Sequence, residues 1–224
     1  VYDAVMEQLQ AFGAEVTEFE GIKSNPLIGD VRDAVSLGKE KGVEVVLAVG
    51  GGSVLDSAKM IALGIAGEDD PWDYVKGNKK PLSALPILVV LTLAATGTET
   101  NRFAVVQNPE TLEKLGFGSK FIYPAAAFLD PSYTFSVSAD YTAFGITDLI
   151  ANSLEAWFGD GDASLSDRFV TSIIREAMDY GPQLMENLED YDLRARIMYA
   201  ATMALNNLTV YGRVSGDWGV HSIG

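Results

Sequence analysis

The chain has 224 residues, 31 acidic against 16 basic side chains, 48% hydrophobic residues and no cysteine. That length suits one or two packed domains, and a formal charge of -15 without a basic cluster repels phosphate backbones and anionic lipid heads, which excludes nucleic acid and membrane surfaces as partners. Lack of cysteine removes disulfides, thiolate metal sites and a cysteine nucleophile, and suits a reducing, cytoplasmic compartment. The longest largely apolar run, residues 84–95, is too short to span a bilayer, and no signal peptide is expected. The chain opens at Val1 inside a helical pattern and stops at Gly224 without a capping pattern, which reads as a fragment at both ends.

Val1, Val5, Leu9 and Phe12 recur at helical spacing and lead to Gly13, a residue suited to the left-handed position after a helix. A strand is expected over Ala14–Phe19, a loop over 21–26 and a second helix over about 30–41. Val43–Val49 is a β-branched run bounded by glycines, the pattern of a strand buried on both faces of a parallel sheet. Gly50, Gly51, Gly52 and Ser53 end it, and helical periodicity begins at once, with Ser53 and Asp56 at capping-box spacing. A polar loop over 67–80 leads to a buried strand over Pro86–Leu93, then to a threonine-rich turn, and Ala127–Asp130 is one more candidate strand. Long helical patterns follow over about 139–158, 164–180 and 191–210. The fold class is α/β: a parallel-sheet domain over 1–135, then an all-helical domain over 136–224, with the boundary near Phe135.

Three places have the composition of a site. Backbone N–H groups at the Gly50–Ser53 turn open a helix after a buried strand, where they suit a phosphate group; a tight turn that binds nothing is the alternative. Neither GxGxxG nor GxxxxGK[ST] is present. Thr92, Thr96, Thr98 and Asn101 follow the next strand, where α/β sheets place ligands, although they also read as turn formers and caps. Lys114 by itself reads as a solvated lysine in a charged loop. Asp148 and Asn152, four apart in an apolar helix, project from one face and can begin a metal site or form a polar stripe continued by Glu155. His221 is the single histidine, so no histidine pair or triad exists inside the chain, and a structural role is its plainer reading.

GGGSVLDSAK at 50–59, DPW at 70–72, LTLAATGTETN at 91–101, LDPSYT at 129–134 and GDWGVHSIG at 216–224 resemble, in that order, the iron-containing (group III) alcohol dehydrogenases, in the branch of the NAD(P)H-dependent butanol dehydrogenases and broad aldehyde reductases. The resemblance implies a dehydroquinate synthase-like fold in which the first domain binds the dinucleotide and the helical domain holds metal and substrate. It implies reversible hydride transfer between NAD(P) and a small aliphatic alcohol or aldehyde, in a cytoplasmic homodimer. By position, Gly51, Gly52 and Ser53 would meet the pyrophosphate, Asp56 the nicotinamide end and Asn25 the adenine side. Thr92, Thr96 and Thr98, with Asn101 in the same turn, would line the cofactor, and Lys114 would bind a ribose.

The family's divalent metal, Fe2+ or sometimes Zn2+, is held by one aspartate and three histidines and polarises the carbonyl oxygen. Asp148 and His221 take two of those positions and are the implied catalytic pair. Where a histidine is expected four residues after the aspartate, the chain has Asn152, a weaker donor, and the remaining histidine lies beyond Gly224 in relatives. The implied opening strand would precede Val1. Two other readings stand beside the metal-dependent dehydrogenase: a metal-independent or inactive nucleotide-binding relative, and a non-enzymatic scaffold.

Overall fold

The computed structural model describes residues 1–223, with side chains as far as His221; Gly224 lies outside them. The chain divides into two compact units, one of residues 1–90 with 102–127, the other of residues 91–101 with 128–224.

In the first unit, α1 (Tyr2–Phe12) ends on Gly13 at φ 79°, as its sequence requires, yet none of its residues is buried. The strand expected over Ala14–Phe19 does not form: the segment is extended, with Val16 and Phe19 exposed, and pairs with no ladder among the described residues. A strand needs a neighbour for its N–H and C=O groups. A cavity of about 140 Å³ is lined by Thr17, Phe19 and Ile22 of this segment together with Val45, Val46, Leu47 and Ala48.

Helix α2 (Ile28–Lys41) leads to β1 (Val46–Gly50), α3 (Gly52–Ala66), the short α4 (Pro71–Val75) and β2 (Ile87–Leu91). Asp70 caps α4 by accepting from Trp72 N at 2.8 Å. The parallel sheet has the order β1-β2 followed by a third strand, residues 126–128. Val31 and Val35 of α2, Leu55, Met60 and Leu63 of α3, and Ile87 and Val89 of β2 supply its buried apolar side chains.

In the sequence between β2 and that third strand lies a separate antiparallel hairpin, β3 (Phe103–Asn108) with β4 (Glu113–Gly118), in the register Val105 to Gly116 and Gln107 to Lys114. Lys114 is therefore a strand residue, not the loop lysine the charge pattern suggested. Only Ala104, Val106 and Asn108 of the hairpin are buried, too short an alternation to stand out against its charged turn. The third sheet strand is β5 (Ala126–Phe128), one residue earlier in its start than the expected run.

The second unit is helical: α5 (Ala139–Trp157), α6 (Ser164–Glu186), α7 (Tyr191–Ala204) and α8 (Gly219–Ile223). Ser138 and Asp190 cap α5 and α7 through their side-chain oxygens. Leu149, Ile173, Ala177, Leu184, Ile197 and Ala201 form its core. The helical pattern expected to reach Val210 stops at Ala204: Leu205 leaves the helical conformation at φ -131°, and Asn207 follows at φ 76°. Buried Arg194 on α7 donates to Thr142 Oγ1 of α5 at 3.0 Å and to Leu188 O at 2.7 Å. Among the described residues no helix is long and apolar enough to cross a membrane.

Helix α5 lies against the turn that follows β2 so closely that a Cβ at Gly145 would collide with the carbonyl oxygen of Ala94. Backbone cannot yield as a side-chain tip can. Gly145→Ala is expected to lower the unfolding free energy by about 1–3 kcal/mol, read as a shift in the urea midpoint at unchanged slope.

Candidate functional site

In the first unit the glycine turn stands where β1 becomes α3. Gly51 is the N-cap of α3, and no side chain caps the first turn. Ser53 and Asp56 do not form the capping box that their spacing suggested. Ser53 Oγ instead accepts from Asn25 N at 3.2 Å, and Asp56 Oδ2 accepts from Val105 N of β3 at 2.9 Å. Asn25 itself adopts φ 59°, a conformation that asparagine tolerates better than most residues. Next to it Pro26 O accepts from Gln107 N at 2.8 Å, and Gln107 is the cross-strand partner of Lys114. The structure thus links Asn25, the Gly51–Ser53 turn, Asp56 and β3 at the start of α3, with Lys114 on the strand paired to β3. An uncapped 15-residue helix with two glycines at its start is a suitable acceptor for an anionic group.

In the second unit, Thr96 Oγ1 accepts from Thr98 N at 3.4 Å and Gly97 takes φ 62°. Asn101 is fully buried, and its amide donates to Gly97 O at 3.1 Å and Leu205 O at 3.2 Å, so it braces the turn. Glu99, missed in the sequence, is buried too and accepts from Thr202 Oγ1 of α7 at 2.5 Å. Thr92 and Thr96 are half-buried, whereas Thr98 is buried.

Asp148, Asn152 and Glu155 follow one another along one face of α5 at four- and three-residue steps. His221 of α8 meets two of them: Nε2 lies 3.6 Å from Asp148 Oδ1 and Nδ1 lies 2.5 Å from Glu155 Oε2. A carboxylate oxygen accepts, so this contact is a hydrogen bond when Nδ1 carries the ring hydrogen. In the neutral ring Nε2 then holds a bare lone pair facing a second carboxylate, an arrangement that needs a positive charge between them. A proton can provide it: Asp148, and then Glu155, raise His221 above the ordinary imidazole range, against burial, which pulls it down.

A divalent ion can provide it as well. The 3.6 Å separation exceeds a hydrogen bond and is close to that of two ligands each about 2.1 Å from one ion. Asn152 is 1% exposed and neither its amide oxygen nor its amide nitrogen has a hydrogen-bond partner. An unsatisfied buried amide costs about 1–3 kcal/mol, and an ion accepting its oxygen as ligand would account for half of that deficit. Carboxylate, imidazole and amide together fit iron or zinc, with the amide the weak member. Among the described residues no cluster of three His, Cys, Asp or Glu side chains suited to a metal occurs.

Glu155 was legible in the sequence only as the end of a polar stripe. Its spacing on α5 was visible, but its partner lies 66 residues away.

The family described as iron-containing alcohol dehydrogenase matches residues 1–131. A probable NADH-dependent butanol dehydrogenase of Bacillus subtilis is 41% identical over 224 residues, all of this chain and 58% of that protein. The NADPH-dependent aldehyde reductase YqhD of Escherichia coli is 40% identical over 228 residues, again all of this chain and 58% of that protein. The crystal structure of NADH-dependent butanol dehydrogenase A from Thermotoga maritima superposes with a TM-score of 0.97 at 41% identity, over 99% of this chain and 56% of that one. The chain thus spans less than three fifths of the length of these relatives, and it belongs to the iron-containing alcohol dehydrogenase family.

Proposed function

We propose that the chain is the nucleotide- and metal-binding portion of an NAD(P)-dependent alcohol dehydrogenase or aldehyde reductase that acts on small aliphatic alcohols and aldehydes. The observation that carries this reading is the Asp148 carboxylate facing His221 Nε2 at 3.6 Å, in a chain of this family. When bound, the metal supplies a Lewis acid for the carbonyl oxygen and the nicotinamide gives or takes the hydride.

The chain's own residues have separate tasks. Asp148, His221 and, weakly, Asn152 would hold the ion. Backbone N–H groups of Gly51, Gly52 and Ser53 would bind the pyrophosphate, with the positive end of α3 behind them. Asp56 would lie towards the nicotinamide, Asn25 towards the adenine and Lys114 on a ribose, while Thr92 and Thr96 would offer hydroxyl groups. Thr98 and Asn101 would act by keeping that turn in shape. The homodimer and the cytoplasmic location rest on the family resemblance and on the acidic, cysteine-free composition.

Asn152 favours one second reading, a relative that binds nucleotide without metal. Zinc or iron affinity of the parent chain and of Asn152→His separates the two. The metal-dependent reading expects measurable binding in the parent and binding tighter by more than about tenfold in the variant; no uptake by either favours the second.

Two further outcomes follow. Because the folded-state value of His221 is raised, a proton stays on Nε2 to higher pH and the ion must displace it. Zinc affinity is therefore expected to fall by about tenfold per unit as pH drops below that value, and to level off above it, in a chelator competition series. Ser53→Asp puts a carboxylate in the first turn of α3, which the helix dipole tolerates but a pyrophosphate does not. Its NADH affinity, followed by fluorescence, is expected to fall about tenfold or more with thermal stability retained.

A further inference from the structure

Glu155 is about 2% exposed and makes three contacts with one short segment. Its carbonyl oxygen, one of the last four that α5 leaves without an internal partner, accepts from Asp217 N at 2.9 Å. Its carboxylate takes the other two: Oε1 accepts from His221 N at 3.1 Å and Oε2 from His221 Nδ1 at 2.5 Å. Backbone and ring of the same histidine are thus fixed by the two oxygens of a single buried carboxylate. The start of α8 does not need it, since Asp217 Oδ1 already accepts from Gly219 N at 2.9 Å. Trp218 closes one side of the ring in an edge-on contact with centroids 6.5 Å apart.

We propose that Glu155 is the positioning residue of the ion site: by holding the Nδ1 hydrogen of His221 it keeps Nε2 bare and turned to Asp148. The proposal rests on the reading of Asp148 and His221 as metal ligands. Imidazole presents a lone pair on one nitrogen only when the other carries the hydrogen, and a carboxylate acceptor selects which. Without Glu155, the acceptor left near the ring is Asp148, which would draw the hydrogen onto Nε2 and occupy the ligand position.

His221 is the single histidine of the chain, so a long-range 1H–15N spectrum of histidine-labelled protein reports it alone. In metal-free protein at alkaline pH, where the ring is neutral, the expected spectrum is that of the Nδ1–H tautomer. Glu155→Ala is expected to move the ring towards Nε2–H and to weaken zinc binding by about 10–100-fold, with Glu155→Gln, which keeps one acceptor, in between. An Nε2–H ring in the parent chain overturns the proposal even if zinc binds, and leaves the metal reading standing. A folded Glu155→Ala protein with unchanged tautomer and zinc affinity overturns it too. An Nδ1–H ring in a chain that takes up no zinc overturns the metal reading, and the proposal with it. The tautomer of the parent chain needs no variant, so the test survives a Glu155→Ala protein that fails to fold.

Discussion

A carboxylate removed from water must find a donor for each oxygen, and this requirement organises the helical unit around α5. Glu155 meets it with the backbone and ring of His221, and in doing so fastens residues 217–221 to the helix that carries Asp148 and Asn152. The same helix is set in place at its other end by the Ser138 cap, by the close approach of Gly145 to Ala94 and by the Arg194 bond to Thr142. The chemistry of the site is a result of that packing. Two carboxylates flank one imidazole, one paired through a hydrogen bond and the other left facing a lone pair, which creates a place for a cation.

The first unit answers a different demand. A helix that begins with uncapped N–H groups is costly unless water or an anion meets them, and α3 begins so. The side chains that spacing would assign to capping are used to hold neighbours: Ser53 fixes Asn25, and Asp56 fixes β3. Capping is thereby exchanged for an open helix end with a framed rim. Lys59, fully buried on α3, donates to Phe103 O at 2.6 Å and ties the hairpin to the same helix.

Much of this was legible in the sequence where local pattern and burial agree. The long amphipathic helices, the β-branched runs of β1 and β2 and the glycine turn declared themselves, because each repeats a signal over many residues. The extended segment at Ala14–Phe19 has strand-like composition but no ladder partner, and pairing is not a local property. The β3–β4 hairpin was hidden by its charged turn. Asp148, Asn152 and His221 could be named from motif order, while the roles of Glu155 and Glu99 depend on contacts over 66 and 103 residues that no spacing encodes. Asn101 shows the reverse: a residue in a ligand-like turn whose amide proves to be spent on backbone carbonyls.

In the function proposed above, Asp148 and His221 hold one divalent ion through Nε2. Anomalous diffraction from crystals of the protein loaded with zinc, collected on either side of the zinc absorption edge, tests it most directly. One peak is expected within bonding distance of Asp148 and His221 Nε2, with the Nδ1 contact to Glu155 intact. Zinc bound through Nδ1, or a peak elsewhere with His221 Nε2 hydrogen-bonded to Asp148, would contradict it.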